Sequence, residues 1–292
     1  MRGIRTGVAS AFALGILIAG GSAANAACLD AEAVETLAAS YLDRSPAKLG
    51  ERPTTNAEAL CSQGKLIEAL QGTLGDPIGY KVGLTSEAAR ERFGAEDPVR
   101  GVLLRGMLQE NGATVEPFAS RGIVEADLLV TVRSDDINVA TTPREVLRYL
   151  RDVRPFIELA DLVLAEGEAL DAETITTINV GARAGVAGNP VPVRQSSKFL
   201  DSLASMTVRL STKPADAESD GEEVLAVPGR AVMGHPLNAV LWLMDDGVKL
   251  EAGDVVSLGS FGPPLPAEPG QTVTVVYEGL PRDPRVSVTL AE

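Results

Sequence analysis

Histidine and cysteine are scarce in this sequence, and their scarcity limits the chemistry that the protein can support. There is one histidine, His235, and there are two cysteines among 292 residues. A zinc site of histidine and cysteine ligands, an HExxH helix and a Cys–His dyad are therefore excluded. A Ser-His-Asp triad would have to use His235. Any catalytic metal would need oxygen ligands, which favours Mg²⁺, Mn²⁺ or Ca²⁺.

Positive charge is also in short supply. The 26 lysines and arginines are outnumbered by 40 aspartates and glutamates, which gives a formal net charge of −14 at pH 7. A surface this acidic repels phosphate backbones and anionic lipid headgroups. We therefore expect no nucleic acid and no membrane among the partners of the processed protein.

Long apolar runs are lacking except at the start of the chain. There, Arg2 and Arg5 precede the apolar run VASAFALGILIAGG, and small residues follow in AANA. This order is typical of a secretory signal, and it is too short for a membrane anchor. We predict that residues 1–26 are a signal peptide and that the protein is periplasmic or secreted.

The predicted export bears on whether the two cysteines, Cys28 and Cys61, form a disulfide. In an oxidising compartment an even pair is more often bonded than free. We expect a disulfide that joins the mature N-terminus to a helical region, with two unpaired buried thiols as the alternative.

The chain changes character near Asp76-Pro77. Before this point the apolar spacing predicts two helices, with Asp30 placed to cap the first. After it, short strand patterns alternate with glycine, proline and a few inserted helices. The sequence therefore predicts an α+β fold, with a helical N-terminal portion over residues 27–77 and a larger unit over residues 78–292.

Three acidic residues occur in strongly apolar strand patterns. Glu125 and Asp127 share one face of the segment IVEADLLVTV, residues 123–132. Glu158 lies in RPFIELADLVL, among residues that predict burial. A solvent-facing strand edge would explain the first two acids, but an isolated carboxylate at Glu158 would be costly to bury. Together the three could offer hard oxygen ligands and leave room for substrate and water.

Four motifs in sequence order resemble the 2-keto-4-pentenoate hydratase family of the fumarylacetoacetate hydrolase-like superfamily. They are GYKVGLTS, VEAD, PFIELADLVL and GHPLNAVLWL…KLEAGDVVSLGSFGPP. The resemblance implies a mixed β-roll with a small helical N-terminal portion, and a catalytic domain over residues 78–292. It also implies Mg²⁺ or Mn²⁺ bound by Glu125, Asp127 and Glu158. The family usually has glutamate where this chain has Asp127, so the reach of this ligand is shorter.

The same resemblance assigns roles to polar residues outside the acidic set. Lys81 matches a family lysine and is expected to bind the substrate carboxylate or enolate oxygen, with an exposed strand lysine as the alternative. Ser260 is expected to hydrogen-bond substrate, although a turn serine fits as well. Asn179 aligns with an asparagine near the family pocket. For His235 we favour a role in positioning the helix that follows it over proton transfer.

Two departures from the family pattern leave the reaction open. Val99 stands where the family commonly has an acid, and Leu162 and Val163 replace a Ser-Arg pair. The resemblance predicts an exported hydratase of 2-hydroxy-dienoates that acts through a metal-stabilised enolate. The alternatives are a 2-oxo-dioate decarboxylase, an acylpyruvate hydrolase, or a non-catalytic periplasmic binding protein for 2-oxo acids. A homo-oligomer is expected for this fold.

Overall fold

A computed structural model describes residues 28–218 and 221–292 of the chain. The predicted signal peptide, residues 1–26, lies outside the described residues. No helix within these two ranges is both long enough and apolar enough to cross a membrane.

The described residues form seven α-helices, and side-chain caps fix the start of the first two. The Asp30 carboxylate accepts a hydrogen bond from the Ala33 amide at 2.8 Å. Thr55 and Glu58 form a reciprocal capping box at the second helix. Both caps bind amides that a helix start leaves without a partner. The helices are α1 (Ala31–Asp43), α2 (Asn56–Leu74), α3 (Glu87–Phe93), α4 (Pro143–Arg148), α5 (Ala172–Thr177), α6 (Ser197–Ser205) and α7 (Asn238–Asp245).

The strands of the described residues form two sheets. They are β1 (Pro77–Gly83), β2 (Val99–Leu104), β3 (Leu108–Glu110), β4 (Thr114–Val115), β5 (Gly122–Val132), β6 (Leu150–Asp161), β7 (Ala182–Ala187), β8 (Val191–Pro192), β9 (Thr207–Pro214), β10 (Glu222–Pro228), β11 (Val255–Ser257), β12 (Leu265–Pro266), β13 (Gln271–Glu278) and β14 (Arg285–Leu290). The larger sheet has the order β2-β1-β11-β5-β6-β7-β3, with β12 paired to β5 and β8 to β6. The smaller sheet has the order β10-β9-β13-β14-β4. Parallel pairs such as β1–β11 occur beside antiparallel pairs such as β5–β6, so the larger sheet is mixed.

The long strands β5 and β6 are buried on both faces. Val124, Ala126 and Leu128 of β5 lie in a core that the larger sheet shares with the smaller one. On the opposite face, Leu129 and Phe156 lie in a second core together with side chains of α1 and α2. Because side chains alternate along a strand, the acids of β5 share the face of Leu129. They therefore lie on the side of the sheet that the N-terminal helices cover.

The predicted α+β architecture is confirmed, including two N-terminal helices followed by strands. Strands β9 and β10 pair in the antiparallel direction. The proposed division at residue 77 stays a prediction. The helices α1 and α2 share a core with the larger sheet, so the N-terminal portion packs as part of the same body.

The start of the described chain is fastened to α2. Cys28 is paired with Cys61, with their Cα atoms 5.5 Å apart. The Leu29 amide donates to Ser62 Oγ at 3.0 Å, and Lys65 Nζ donates to the Leu29 carbonyl at 2.7 Å. Three independent contacts therefore hold residues 28 and 29 on one helix.

His235 contacts the elements around the start of α7. Its Nδ1 accepts a hydrogen bond from the Leu237 amide at 3.1 Å, and its Nε2 lies 3.2 Å from the Leu200 carbonyl. Nδ1 is the acceptor and Nε2 the donor, so the ring is the neutral Nε2–H tautomer. Burial lowers the pKa of His235, which agrees with this neutral form. The favoured role in positioning a helix fits these contacts.

Candidate functional site

Strand register brings the candidate residues to one face of the larger sheet. Glu125 of β5 lies directly opposite Glu158 of β6. Lys81 of β1 pairs with Ser257 of β11, which in turn pairs with Leu129 of β5. Because paired residues share a face, the lysine, the serine and the acids of β5 and β6 project to the same side.

Lys81 is the cation of this group. Its side chain is 3% exposed, and Nζ forms an ion pair with Glu158 Oε1. Nζ also donates to the Val180 carbonyl at 2.9 Å. Burial alone would lower the pKa of Lys81, but the nearby carboxylates of Glu158 and Glu125 raise it above its usual value. Lys81 is therefore charged.

Asp127 is fully buried and its carboxylate is occupied by hydrogen bonds. Oδ2 accepts from Ser257 Oγ at 2.5 Å, and Oδ1 accepts from the amides of Leu258 and Gly259 at 3.1 and 3.0 Å. The amide of Leu128 donates to Oδ1 as well. Burial raises the pKa of Asp127 to about 7, although its hydrogen bonds lower it in part. Asp127 therefore holds the end of β11 and the segment after it.

A glycine makes this close approach of the segment possible. Gly259 has a φ of +106°, in the region that favours glycine. A Cβ atom there would lie 2.5 Å from Thr85 Cγ2 and 3.1 Å from the Val82 carbonyl. The glycine-rich motif SLGSFG thus allows the segment to pack against β1 while its amides bind Asp127.

Glu125 is the most accessible acid of the group. Its pKa is raised to about 8, first by burial and then by the facing Glu158, while Lys81 and the Ser260 hydroxyl lower it. Ser260 Oγ also donates to the Gly262 carbonyl at 2.9 Å. Ser260 therefore lies beside Glu125 and has the contact of a turn serine, while its predicted role in substrate binding stays a prediction.

The net negative charge of this group of side chains favours binding of a divalent cation. The arrangement of the side chains favours it less. Three carboxylates accompany one ammonium, so two negative charges are unbalanced when all are ionised. Carboxylate oxygens are the donors that Mg²⁺ and Mn²⁺ prefer. Over residues 28–218 and 221–292, however, no three acidic, histidine or cysteine side chains are arranged as a metal-binding group. The carboxylate of the predicted ligand Asp127 binds Ser257 and backbone amides, and its role as a metal ligand stays a prediction.

The Asn179 side chain is hydrogen-bonded within the fold, and its predicted role in substrate binding stays a prediction. Its side chain is completely buried, Oδ1 accepts from the Val102 amide at 2.7 Å, and Nδ2 donates to the Val102 carbonyl at 2.9 Å. Both functional atoms of the side chain are therefore used within the fold. The neighbouring Val180 reaches Lys81 through its main chain.

Three contributors to the site were missed by sequence reasoning. Ser257 binds Asp127, the Val180 carbonyl binds Lys81, and the Tyr277 hydroxyl donates to the Asp127 carbonyl and accepts from the Phe156 amide at 3.2 Å. The motif SLGS gave a signal for Ser257, since its hydroxyl lies in an apolar strand. The Val180 contact is made by a main-chain carbonyl, and the Tyr277 hydroxyl binds main-chain groups, so the residue types of these partners gave no signal.

The residues that depart from the family pattern are packed among apolar neighbours. Val99 is 7% exposed and lies in a small cluster with Ile175 and Val180. Val163 is 1% exposed in the core beneath the N-terminal helices, and Leu162 packs against that core. Apolar packing therefore takes the place of the acid and the Ser-Arg pair of the family pattern at these positions.

Comparison with known proteins finds hydratases that are similar in sequence to this chain. No family model matches the chain. It is 31% identical over 215 residues to 2-keto-4-pentenoate hydratase 2 of Dechloromonas aromatica, covering 70% of this chain and 75% of that protein. It is 28% identical over 211 residues to 2-hydroxyhexa-2,4-dienoate hydratase of Comamonas testosteroni, with 70% and 75% covered.

Solved structures show the same fold. The 4-oxalocrotonate decarboxylase from Pseudomonas putida G7, complexed with magnesium and adipate, aligns with a TM-score of 0.73 at 23% identity, covering 90% of this chain and 98% of that one. Fumarylpyruvate hydrolase from Pseudomonas aeruginosa, in complex with Mn²⁺ and pyruvate, aligns with a TM-score of 0.52 at 14% identity, covering 74% and 89%. These likenesses confirm the predicted β-roll.

Proposed function

Because the chain belongs to the 2-keto-4-pentenoate hydratase family, we propose that it is a carbon–oxygen lyase that adds water to a small 2-hydroxy-dienoate or its 2-oxo tautomer. Relatives named as hydratases support this class of reaction, with 31% and 28% identity over three quarters of their length. The observation that carries the proposal is the buried ion pair of Lys81 and Glu158, next to Glu125. Burying two charged groups costs desolvation free energy, so a role in the reaction would explain why the pair is present.

Lys81 would stabilise negative charge on the substrate. Ketonisation of a dienol passes through a dienolate, and it leaves a double bond poor enough in electrons for water to attack. Water then adds its hydroxyl to one carbon of that bond and its proton to the other. A fixed, buried ammonium next to the enolate oxygen lowers the energy of the charged state without reorganisation. Ser260, beside Glu125, would bind the substrate through its hydroxyl.

We also propose that a divalent cation, Mg²⁺ or Mn²⁺, binds at Glu125 and Glu158. The excess negative charge and the oxygen donors of the group support this, as do the metal ions in the two related folds. When bound, the cation would supply further positive charge for the enolate oxygen. Asp127 would become a third ligand only by giving up bonds to Ser257 and the amides beyond it.

A direct assay tests this function. Purified protein supplied with Mg²⁺ or Mn²⁺ is expected to consume 2-hydroxypenta-2,4-dienoate, followed by loss of its ultraviolet absorbance and by detection of the hydrated product. Treatment with EDTA should abolish turnover, and added metal should restore it. Lys81→Ala and Glu158→Gln should each lower kcat by a factor on the order of 100 or more, the size of effect seen when one group that stabilises such charge is removed.

Lys65→Ala is the matched control for the lysine variant. Lys65 Nζ also donates to a backbone carbonyl, but this carbonyl belongs to Leu29 at the start of the described chain rather than to the turn at Val180. Its kcat should stay close to the wild-type value. Wild-type turnover in Lys81→Ala would contradict the role of Lys81, and full activity in EDTA would contradict the metal.

Hydration ranks above the other reactions of this superfamily. Hydrolysis of an acylpyruvate needs a base that activates water, and His235 is bound to Leu200 and Leu237 at the start of α7. Assays of one panel of 2-oxo acids for water addition, CO₂ release and C–C cleavage separate the three reactions. Calorimetric binding of a 2-oxo acid with no product after long incubation would instead indicate a binding protein.

Export is part of the proposal. The paired Cys28 and Cys61 support an oxidising compartment, where such bonds persist. In the native host we therefore expect the protein in the periplasmic or secreted fraction, with an N-terminus near residue 27.

A further inference from the structure

The turn that contacts Lys81 has an unusual backbone. Asn179 and Val180 have φ values of +57° and +54°, both in the left-handed region. Asparagine tolerates this region, but a β-branched residue such as valine rarely adopts it. A conformation of this kind persists only where the surrounding structure holds it, and such positions occur preferentially at functional sites.

The Asn179 side chain holds this turn on β2. Its Oδ1 and Nδ2 bind the amide and the carbonyl of Val102 at 2.7 and 2.9 Å, so it pairs with β2 as a neighbouring strand would. Gly101 makes room for this contact. A Cβ atom there would lie 2.8 Å from the Asn179 carbonyl and 3.0 Å from Lys81 Cγ.

The turn places one backbone carbonyl within hydrogen-bond distance of Lys81. The carbonyl of Val180, the residue that follows Asn179, accepts a hydrogen bond from Lys81 Nζ at 2.9 Å. A lysine ammonium has three donors. Among the contacts of the described residues, Glu158 and Val180 accept hydrogen bonds from two of these donors. The third donor is left for a substrate oxygen.

We propose that Asn179 is a positioning residue: its two bonds to Val102 fix the left-handed turn, so that the Val180 carbonyl directs the Lys81 ammonium toward the substrate. The inference rests on the proposed hydratase function for its kinetic readout. It differs from the role in substrate binding that the sequence predicted for Asn179, and that role stays a prediction.

The test compares Asn179→Ala with a matched control, Gln63→Ala. Gln63 is also a buried amide side chain, and its Nε2 donates to the carbonyls of Arg100 and Thr176 at 2.8 Å each. It thus ties helices to β2 without touching Lys81 or its partners. We expect both variants to melt at lower temperature, because each loses two buried hydrogen bonds.

Kinetics should separate the two variants. A misdirected ammonium costs transition-state stabilisation, so Asn179→Ala should lower kcat on the order of 10- to 100-fold while KM changes much less. Gln63→Ala should keep kcat near the wild-type value. Equal losses of kcat in the two variants, or an unchanged kcat in Asn179→Ala, would overturn the proposal.

Asn179→Gly separates the side-chain bonds from the backbone conformation. Glycine adopts the left-handed region without strain but cannot bind Val102. This variant is also the less disruptive one, so it carries the test if Asn179→Ala does not fold. A loss of kcat similar to that of the alanine variant supports the proposal, and wild-type kcat refutes it.

Crystal structures test the positioning role of Asn179 independently of the proposed function. If wild-type protein has no hydratase activity, the proposed function fails, but the geometry can still be examined. Displacement of Lys81 Nζ from the Val180 carbonyl in Asn179→Gly would support the positioning role. Retention of the 2.9 Å contact in that variant would contradict it.

Discussion

Glu125 lies opposite Glu158 across β5 and β6. Burial first, and then the facing carboxylate of Glu158, raise the pKa of Glu125 to about 8 from an ordinary value of 4.5. A raised pKa means that the folded state binds this proton more tightly than the unfolded state does. The stabilising contribution of the proton is therefore complete below about pH 4.5 and is lost as the pH rises through about 8.

We predict that the metal-free protein loses thermal stability between pH 5 and pH 8. In EDTA the melting temperature should fall over this range, because folding then increasingly requires an ionised Glu125 beside Glu158. Added Mg²⁺ or Mn²⁺ should offset the loss most at the high end of the range. Melting curves followed by circular dichroism at half-unit pH steps measure both effects.

Glu125→Gln provides the control for this pH dependence. Glutamine has nearly the same shape but does not titrate, so the slope of melting temperature against pH should become flatter. The same slope in Glu125→Gln as in wild type would show that another group is responsible.

Single residues also show what the sequence allowed and what it did not. Glu125, Asp127, Glu158 and Lys81 could be selected because a charge in an apolar strand is unusual, and the structure places all four on one face. The direction of the Asp127 carboxylate could not be predicted. Its partners include backbone amides of Leu258 and Gly259, which any residue types would supply.

At the level of elements, one tyrosine connects the two sheets beneath the site. Tyr277 lies on β13 of the smaller sheet and is fully buried. Its hydroxyl contacts the main chain of both β5, at Asp127, and β6, at Phe156. These are the strands that carry the acids, so their spacing depends on a contact from another sheet.

We predict that Tyr277→Phe lowers both stability and turnover. Loss of the hydroxyl leaves buried main-chain groups of β5 and β6 without this partner, at a cost of about 1–3 kcal/mol in the free energy of unfolding. A changed spacing of Glu125 and Glu158 should lower kcat as well. Urea unfolding and steady-state kinetics measure the two effects.

Tyr41→Phe is the matched control for this variant. Tyr41 is equally buried, and its hydroxyl donates to the Ala182 carbonyl at 2.7 Å. The two variants should lose similar stability, but only Tyr277→Phe should lose kcat. A fall of kcat in both would show that general destabilisation, rather than the position of the strands, limits the reaction.

Elements with strong local signals were predicted well. Helix α1 begins after Asp30, the predicted cap, and the first strand begins at Pro77, where the sequence predicted a change to strands. The turn at Asn179 and Val180 could not be predicted from the local sequence. Its side-chain hydrogen bond is to Val102 of β2, 77 residues earlier in the chain. Local propensity cannot report a conformation that a distant strand imposes.

At the scale of the whole molecule, the Cys28–Cys61 bond closes a loop across the N-terminal helices, with a sequence separation of 33 residues. By the chain-entropy relation, a loop of this length stabilises the folded state by about 3–4 kcal/mol. The helices α1 and α2 also cover the face that carries the acids. The bond should therefore stabilise the cover of the site as well as the chain end.

We predict that reduction weakens the protein. Dithiothreitol should lower the urea midpoint of the wild type but leave a Cys28→Ser/Cys61→Ser double variant unchanged. The double variant should itself match the reduced wild type. Equal midpoints for the oxidised and reduced wild type would show that the bond contributes nothing to stability.

The double burial of β5 and β6 has a consequence for how the protein opens. Each strand is covered by one core on its inner side and by another on its outer side. Their amide hydrogens can therefore reach deuterated solvent only through the largest opening events, whereas the edge strand β10 can exchange through local ones. The two strands that carry the acids should thus be the slowest-exchanging part of the molecule.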